Sequence, residues 1–250
     1  MPTVDWKVWQ DADTAGRFAA QRRGGLLGAA EQFEVLIRLL RYVPTTPMAV
    51  LDLGCGDGIV LETVATAFAV DRAVALDGSA AMLGRARERL AELGSFGNNG
   101  LTLSLVEADF NDPGWTKQLP AGKYDAVVSA FAIHHSEDER KRALYAEIYA
   151  LLNPGGVFVN IEHVASLSEH GEELFETAYA ESLARHRVAN GEAVTPEQVL
   201  KELQARPDKA ANRLAPLEAQ LEWLREISYV DVDCYWKLFE LAVFAGYRAL

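Results

Sequence analysis

Three groups of residues in this 250-residue chain have the type and spacing to do chemistry. The first is Gly54-Cys55-Gly56-Asp57-Gly58, which follows the apolar run Met48-Ala49-Val50-Leu51-Asp52-Leu53. A glycine-rich turn between a strand and a helix lets a ligand approach the backbone closely, because no Cβ intervenes, and it aims a helix N-terminus at that ligand. The second is Asp77, which lies 77 − 54 = 23 residues after the first glycine. At that offset doubly wound nucleotide binders set a carboxylate on ribose hydroxyls. The third comprises His134-His135 and Glu162-His163, each pair after an apolar run. Imidazole titrates near neutrality, so any of these histidines is able to take a proton from a hydroxyl or an amine.

The glycine turn does not fit a dinucleotide well. That fingerprint wants glycine at its first, third and sixth positions, but here the sixth is Ile59 and the third glycine falls one residue early, at Gly58. Asp52 and Asp57 are also poor neighbours for a pyrophosphate. A ligand that carries positive charge and no phosphate suits such a loop better. His134, His135 and His163 without a cysteine make a poor zinc set, so no metal is expected. Each acid has a plainer alternative. Asp77 is placed to cap the helix that starts near Ser79, and Asp109 to open a turn with Asn111 and Asp112. Met82 is equally suited to a core, and Asp125 belongs to the start of its strand. Cys55 supplies small size in the loop and no redox chemistry.

These residues need a scaffold of alternating strands and helices. Ala73–Asp77, Tyr124–Phe131 and Val157–Ile161 read as buried strands; Leu101, Leu103 and Leu105 alternate with polar residues, as in a strand near a sheet edge. Residues 59–70 read as a helix, and Met82, Leu83, Ala86, Leu90 and Leu93 share the face of another. Ser136 and Glu139 have capping-box spacing, with favourable Glu137–Lys141 and Asp138–Arg142 pairs behind them. Strand–helix alternation requires crossovers, and crossovers give a parallel, doubly wound α/β sheet. Residues 168–213 read as a helical insertion, with a capping box at Thr195-Pro196-Glu197-Gln198. Its acids Glu169, Glu172, Glu173, Glu176 and Glu181 have no lysine or arginine among them, which suits a solvated face or a lid for neutral or cationic ligands. Residues from Val230 to Arg248 read as two strands with no crossover between them, hence an antiparallel hairpin. The division expected is a helical N-terminal cap over 1–45 and a core over 46–250.

Composition narrows the classes. The chain is 50% hydrophobic and 24% charged, ordinary for a globular protein. Its 24 basic and 36 acidic residues give a net charge of −12, which argues against the broad basic surface that nucleic-acid binding needs. No apolar run is long enough for a membrane span, and the N-terminus lacks a secretory layout. Two distant cysteines, Cys55 and Cys234, suggest neither disulfides nor zinc, and the expected compartment is the cytoplasm.

Five segments, in order, resemble the class I S-adenosylmethionine-dependent methyltransferases over roughly residues 30–250. They are Leu51–Gly58, Ala75–Leu83, Val106-Glu107-Ala108-Asp109-Phe110, Tyr124–His135 and Leu152-Asn153-Pro154-Gly155-Gly156. The resemblance implies a seven-stranded Rossmann-like sheet of order 3-2-1-4-5-7-6 with the last strand antiparallel. It implies S-adenosyl-L-methionine as cofactor and methyl transfer to a small-molecule acceptor. By position, Gly54, Cys55 and Gly56 pass beneath the methionine part, with Asp52 near its amino group. Asp77 and Gly78 take the ribose, Met82 the adenine face, and Asp109 and Phe110 the adenine edge. Ser129 and Ala130 offer backbone groups to the amino end, and Arg23 matches a basic residue for the carboxylate. His134, His135, Glu162 and His163 are the catalytic candidates. Trp6, Trp9, Phe175, Tyr179, Trp223, Tyr235 and Trp236 are candidate walls of the acceptor pocket. The alternatives are a non-catalytic S-adenosylmethionine-binding partner subunit and an NAD-dependent oxidoreductase. A monomer or homodimer is expected, without nucleic-acid or membrane partners.

Overall fold

Met48–Leu53 (β1) is apolar apart from Asp52 and buried throughout, as a strand covered on both faces must be. In the computed structural model, which describes residues 25–91 and 100–250, β1 is central to a seven-stranded sheet. It pairs in parallel with Val70–Asp77 (β2) and Tyr124–Ala130 (β4). Thr102–Glu107 (β3) forms the half-exposed edge beside β2, and Leu152–His163 (β5) lies beyond β4. Leu241–Tyr247 (β7) runs antiparallel to β5, and Val230–Leu238 (β6) runs antiparallel to β7 at the other edge. The order β3-β2-β1-β4-β5-β7-β6 is the one the sequence motifs implied, closing hairpin included.

Side chains of successive strand residues point to opposite faces, so each central strand feeds two cores. Val50, Ala75, Val128 and Val159 meet Ala29–Leu40 (α1), Ile59–Ala67 (α2) and Ala80–Leu90 (α3). Leu51, Leu76, Val127 and Phe158 meet Asp138–Leu151 (α4) and Leu217–Ile227 (α7) on the opposite face. A third, smaller cluster of Ala180, Leu183, Ala184, Val199 and Leu203 joins Glu169–Ala189 (α5) to Pro196–Gln204 (α6). That helical pair, with a short 3₁₀ segment at Pro207–Ala211, follows β5 and stands over the carboxyl edge of the sheet.

Several local expectations need correcting. α2 stops at Ala67 because Phe68 is extended, and β2 starts at Val70, ahead of the Ala73 expected. Glu162 and His163 are the last residues of β5, paired with Ala242 and Leu241, and do not follow the strand. The box at Thr195 forms, with Gln198 as its reciprocal partner. The one expected at Ser136 does not: α4 starts after Glu137, and the Ser136 hydroxyl donates to Asn111 Oδ1 at 2.7 Å. The two i,i+4 pairs on α4 are also replaced, by one i,i+3 pair within the helix and by tertiary contacts. Lys141 binds Asp138 Oδ1 (2.7 Å) and the Arg213 carbonyl, Glu137 meets Arg213 (2.8 Å), and Arg142 meets Glu226 (2.5 Å). Lys141 is almost wholly buried, so a partnered ammonium inside outweighs a surface pair worth about 0.3–0.5 kcal/mol.

Candidate active site

The strand order reverses between β1 and β4, and ligands of open α/β sheets bind outside the carboxyl ends at such a switch point. There the ends of β1, β2, β4 and β5 line a cavity of about 400 Å³, closed over by residues of α1, α5 and the segment after α6. Gly54, Cys55, Gly56, Asp77, Gly78, Met82, Asp109, Phe110 and Ala130 line it toward β2 and β3; His134, His135 and His163 line it toward β5.

The glycine loop is tied to β2 by the Gly54 and Cys55 amides, which both donate to the Leu76 carbonyl (2.8 and 2.9 Å). Gly54 has φ +71°, and a Cβ there would lie 2.3 Å from that of Ala132, so glycine lets two cavity-lining turns touch. Gly56 has φ +54°, but a Cβ there would meet nothing within 4 Å: the space above it is open for a ligand. Burial raises the pKa of the Cys55 thiol, and the nearby Asp77, Asp52 and Asp57 add to it, so it stays a thiol.

Asp77 holds both sides of the loop. Its Oδ2 accepts the Gly56 amide at 2.9 Å and its Oδ1 the Ser79 amide at 2.8 Å. Burial raises its pKa, and each oxygen keeps a further lone pair for a ligand hydroxyl. It is not a helix cap; Ser79 has that role on α3, its hydroxyl accepting from the Met82 amide. Asp109 does form the turn, since its Oδ1 accepts both the backbone and side-chain N–H of Asn111 at 2.8 Å, and it lines the cavity as well.

Asp52 and Asp57 both lie outside the cavity lining. Asp52 is fully buried behind the loop, where Oδ2 accepts the Leu61 amide at 3.2 Å and anchors the first turn of α2. Asp57, also buried, meets Arg89 at 3.1 Å. The cavity's own acids are Asp77 and Asp109 at the β2–β3 side, with Glu172, Glu176 and Glu240 elsewhere on its wall. Ser129 also lies behind the wall, its hydroxyl donating to the Leu53 carbonyl at 2.7 Å. Arg23, Trp6 and Trp9 lie outside the described residues. Phe175 and Tyr179 line the cavity. Trp236 instead packs on Gly28, Trp223 of α7 packs against the core, and Tyr235 is exposed.

Two histidine–carboxylate pairs occupy the β5 end. His134 Nδ1 lies 2.6 Å from Glu162 Oε1. Glu162 is buried, also accepts the His163 amide (2.9 Å) and Asn160 Nδ2 (3.3 Å), and does not itself line the cavity. Burial raises its pKa to about 7. His163 Nε2 lies 2.7 Å from Glu240 Oε2, and His135 Nδ1 lies 3.3 Å from the Ala211 carbonyl. The rings of His134 and His163 are 5.8 Å apart. Among the described residues no cluster of three or more side chains is arranged to hold a metal. Sequence reasoning missed Glu240, at the tip of the β6–β7 hairpin, and Phe131, which takes φ +52° as the chain leaves β4 and lines the cavity. Phe131 lies within the Tyr124–His135 segment but its turn was not foreseen, and Glu240 belongs to no motif; only pairing the hairpin against β5 brings it to His163.

Comparison with known proteins agrees with this geometry. Residues 50–156, from β1 to the start of β5, match the family described as "Methyltransferase domain". Over 129 residues the chain is 33% identical to uncharacterised methyltransferases of Mycobacterium tuberculosis and Mycobacterium bovis; this covers 52% of the chain and 57% of theirs, so little more than half the length of those relatives is matched. The fold is similar to that of the pyocyanin biosynthetic protein PhzM (TM-score 0.61, 20% identity, covering 98% of this chain and 62% of that one). It is also similar to a magnesium protoporphyrin IX methyltransferase from Synechocystis with bound SAH (TM-score 0.57, 16% identity, 89% and 84% covered).

Proposed function

We propose that this chain, whose residues 50–156 match a methyltransferase domain, is a class I S-adenosylmethionine-dependent methyltransferase that transfers the methyl group of that donor to a small acceptor held at the β5 end of the cavity. One observation carries the reading: Asp77 and the open backbone at Gly56 face the same cavity as His134, His135 and His163. A donor site and a proton-accepting site thus adjoin.

The residues present fit the donor. Gly54, Cys55 and Gly56 would lie under its methionine part, Asp77 would accept from the ribose hydroxyls, and Met82, Asp109 and Phe110 would surround the adenine. When bound, the donor supplies an already activated methyl group on a positively charged sulfur. The protein's own task is therefore alignment and exclusion of water. α5, α6 and the segment after them cover the cavity, and the imidazoles take up a proton if the acceptor carries one. Both free cysteines suit a reducing compartment, and the acidic balance suits a small acceptor better than a nucleic acid. No helix among the described residues is long and apolar enough to cross a membrane.

The test is release of S-adenosylhomocysteine by purified protein given donor and a panel of hydroxyl, amine and carboxylate acceptors. The reading expects acceptor-dependent release. Donor binding without release from any acceptor would instead favour a non-catalytic binding subunit.

A further inference from the structure

We propose that the acceptor is an uncharged aromatic hydroxyl compound, a phenol, which loses its proton to His163 while Glu240 positions that imidazole; this rests on the methyl-transfer reading above. Glu240 is nearly buried, and its backbone carbonyl accepts the Val164 amide at 2.7 Å, which pins the hairpin tip to the end of β5. Its Oε2 takes Nε2 of His163 at 2.7 Å. A carboxylate on Nε2 puts the ring hydrogen there and leaves Nδ1 with the lone pair. Among the described residues, no hydrogen bond engages Nδ1.

The walls beside that ring are aromatic. Phe175 stands 5.2 Å from His163, and Tyr179 stacks on Phe175 at 5.9 Å with 13° between planes. These two rings lie one turn apart on α5 and both line the cavity, so they offer aromatic contact to a planar acceptor. Charges near His163 face opposite charges. Glu162 holds His134 and Glu240 holds His163; Glu172 and Glu176 of α5 hold Lys209, and Arg206 lies in the field of Glu176. This set of paired groups favours an uncharged acceptor.

Proton affinity then selects the hydroxyl. A phenol near pKa ~10 lies within reach of an imidazole near ~6.5, whereas an aliphatic hydroxyl, close to water at ~15.7, does not. In the step, the phenol O–H electron pair moves to oxygen as its proton goes to His163 Nδ1. That oxygen forms a bond to the methyl carbon, the carbon–sulfur bond breaks, and its pair stays on sulfur. Glu240 stabilises the resulting imidazolium.

The experiment compares 2-naphthol, cyclohexylmethanol and 2-naphthylmethylamine as acceptors, reading S-adenosylhomocysteine release, with donor binding measured separately by calorimetry. Release with 2-naphthol alone is expected. Glu240→Gln should bind donor as the wild type does, lower the plateau rate about 10- to 100-fold, and move the acid limb of the pH–rate profile to lower pH. The sign follows because an imidazolium without its carboxylate loses its proton more readily. His163→Asn should lose about 10²- to 10⁴-fold. Three results would overturn the proposal: donor binding with no turnover of 2-naphthol, faster turnover of the alcohol or the amine, or a Glu240→Gln profile that falls without shifting. Failure of the donor itself to bind would instead sink the methyl-transfer reading.

Discussion

His134 and Glu162 sit 2.6 Å apart beneath the acceptor end of the cavity, and Glu162, the deeper of the two, is the group whose protonation burial disturbs. A carboxylate away from water is costly, so Glu162 keeps its proton until about pH 7, against an ordinary value of 4.5. Its hydrogen bonds from His163 and Asn160 only partly oppose that.

Stability should therefore depend on pH through Glu162. Between about pH 4.5 and 7 the folded protein holds a proton that the unfolded chain has released. The stabilisation is fully present below that window and is lost as pH rises through it. Glu162→Gln removes the titration. The melting temperature of the variant minus that of wild type should become more favourable from pH 5 to pH 8, by a few degrees at about 2–4 °C per kcal/mol. Parallel melting curves would contradict this.

Gly54→Ala and Gly56→Ala should separate packing from ligand approach. At Gly54 the new methyl meets Ala132 Cβ at 2.3 Å in a left-handed backbone, so stability should fall by about 2–4 kcal/mol. At Gly56 the new methyl meets no protein atom, so the stability cost should be only about 1 kcal/mol, from the positive φ. Donor affinity should nevertheless drop at least tenfold in Gly56→Ala. Chemical denaturation and calorimetry on the same samples distinguish the two, and equal effects on stability would refute the contrast.

Lys209→Ala should mainly affect the acceptor. Lys209 bridges the segment after α6 to Glu172 and Glu176 on α5, and all three are partly exposed. Such pairs are worth about 0–1 kcal/mol, so the melting temperature should barely change. Looser closure of the cavity roof should raise KM for the acceptor while leaving donor affinity intact. Steady-state kinetics with each substrate varied in turn checks this.

The strands and their order were legible because β1, β2, β4 and β5 are buried runs joined by crossovers, and because the final hairpin leaves no room for one. Asp77 and the glycines were legible as a spacing. For Asp52 and Asp57, spacing does not say which way a side chain points. One anchors α2 and the other meets Arg89, 32 residues away. Ser136 resembled a cap, yet Asn111 offered its hydroxyl a half-buried partner. The acidic run on α5 looked unopposed because its cation, Lys209, comes from 33 residues beyond Glu176. Glu240 was invisible for the same reason: its partner is 77 residues upstream.

Calorimetric titration of the purified protein with S-adenosylmethionine, S-adenosylhomocysteine and NAD, repeated on Asp77→Ala, tests the central claim most directly. The account predicts saturable binding of the first two, none of NAD, and at least a tenfold loss in the variant, about 1.4 kcal/mol or more. Binding of NAD in their place, or equal donor affinity with and without the Asp77 carboxylate, would contradict it.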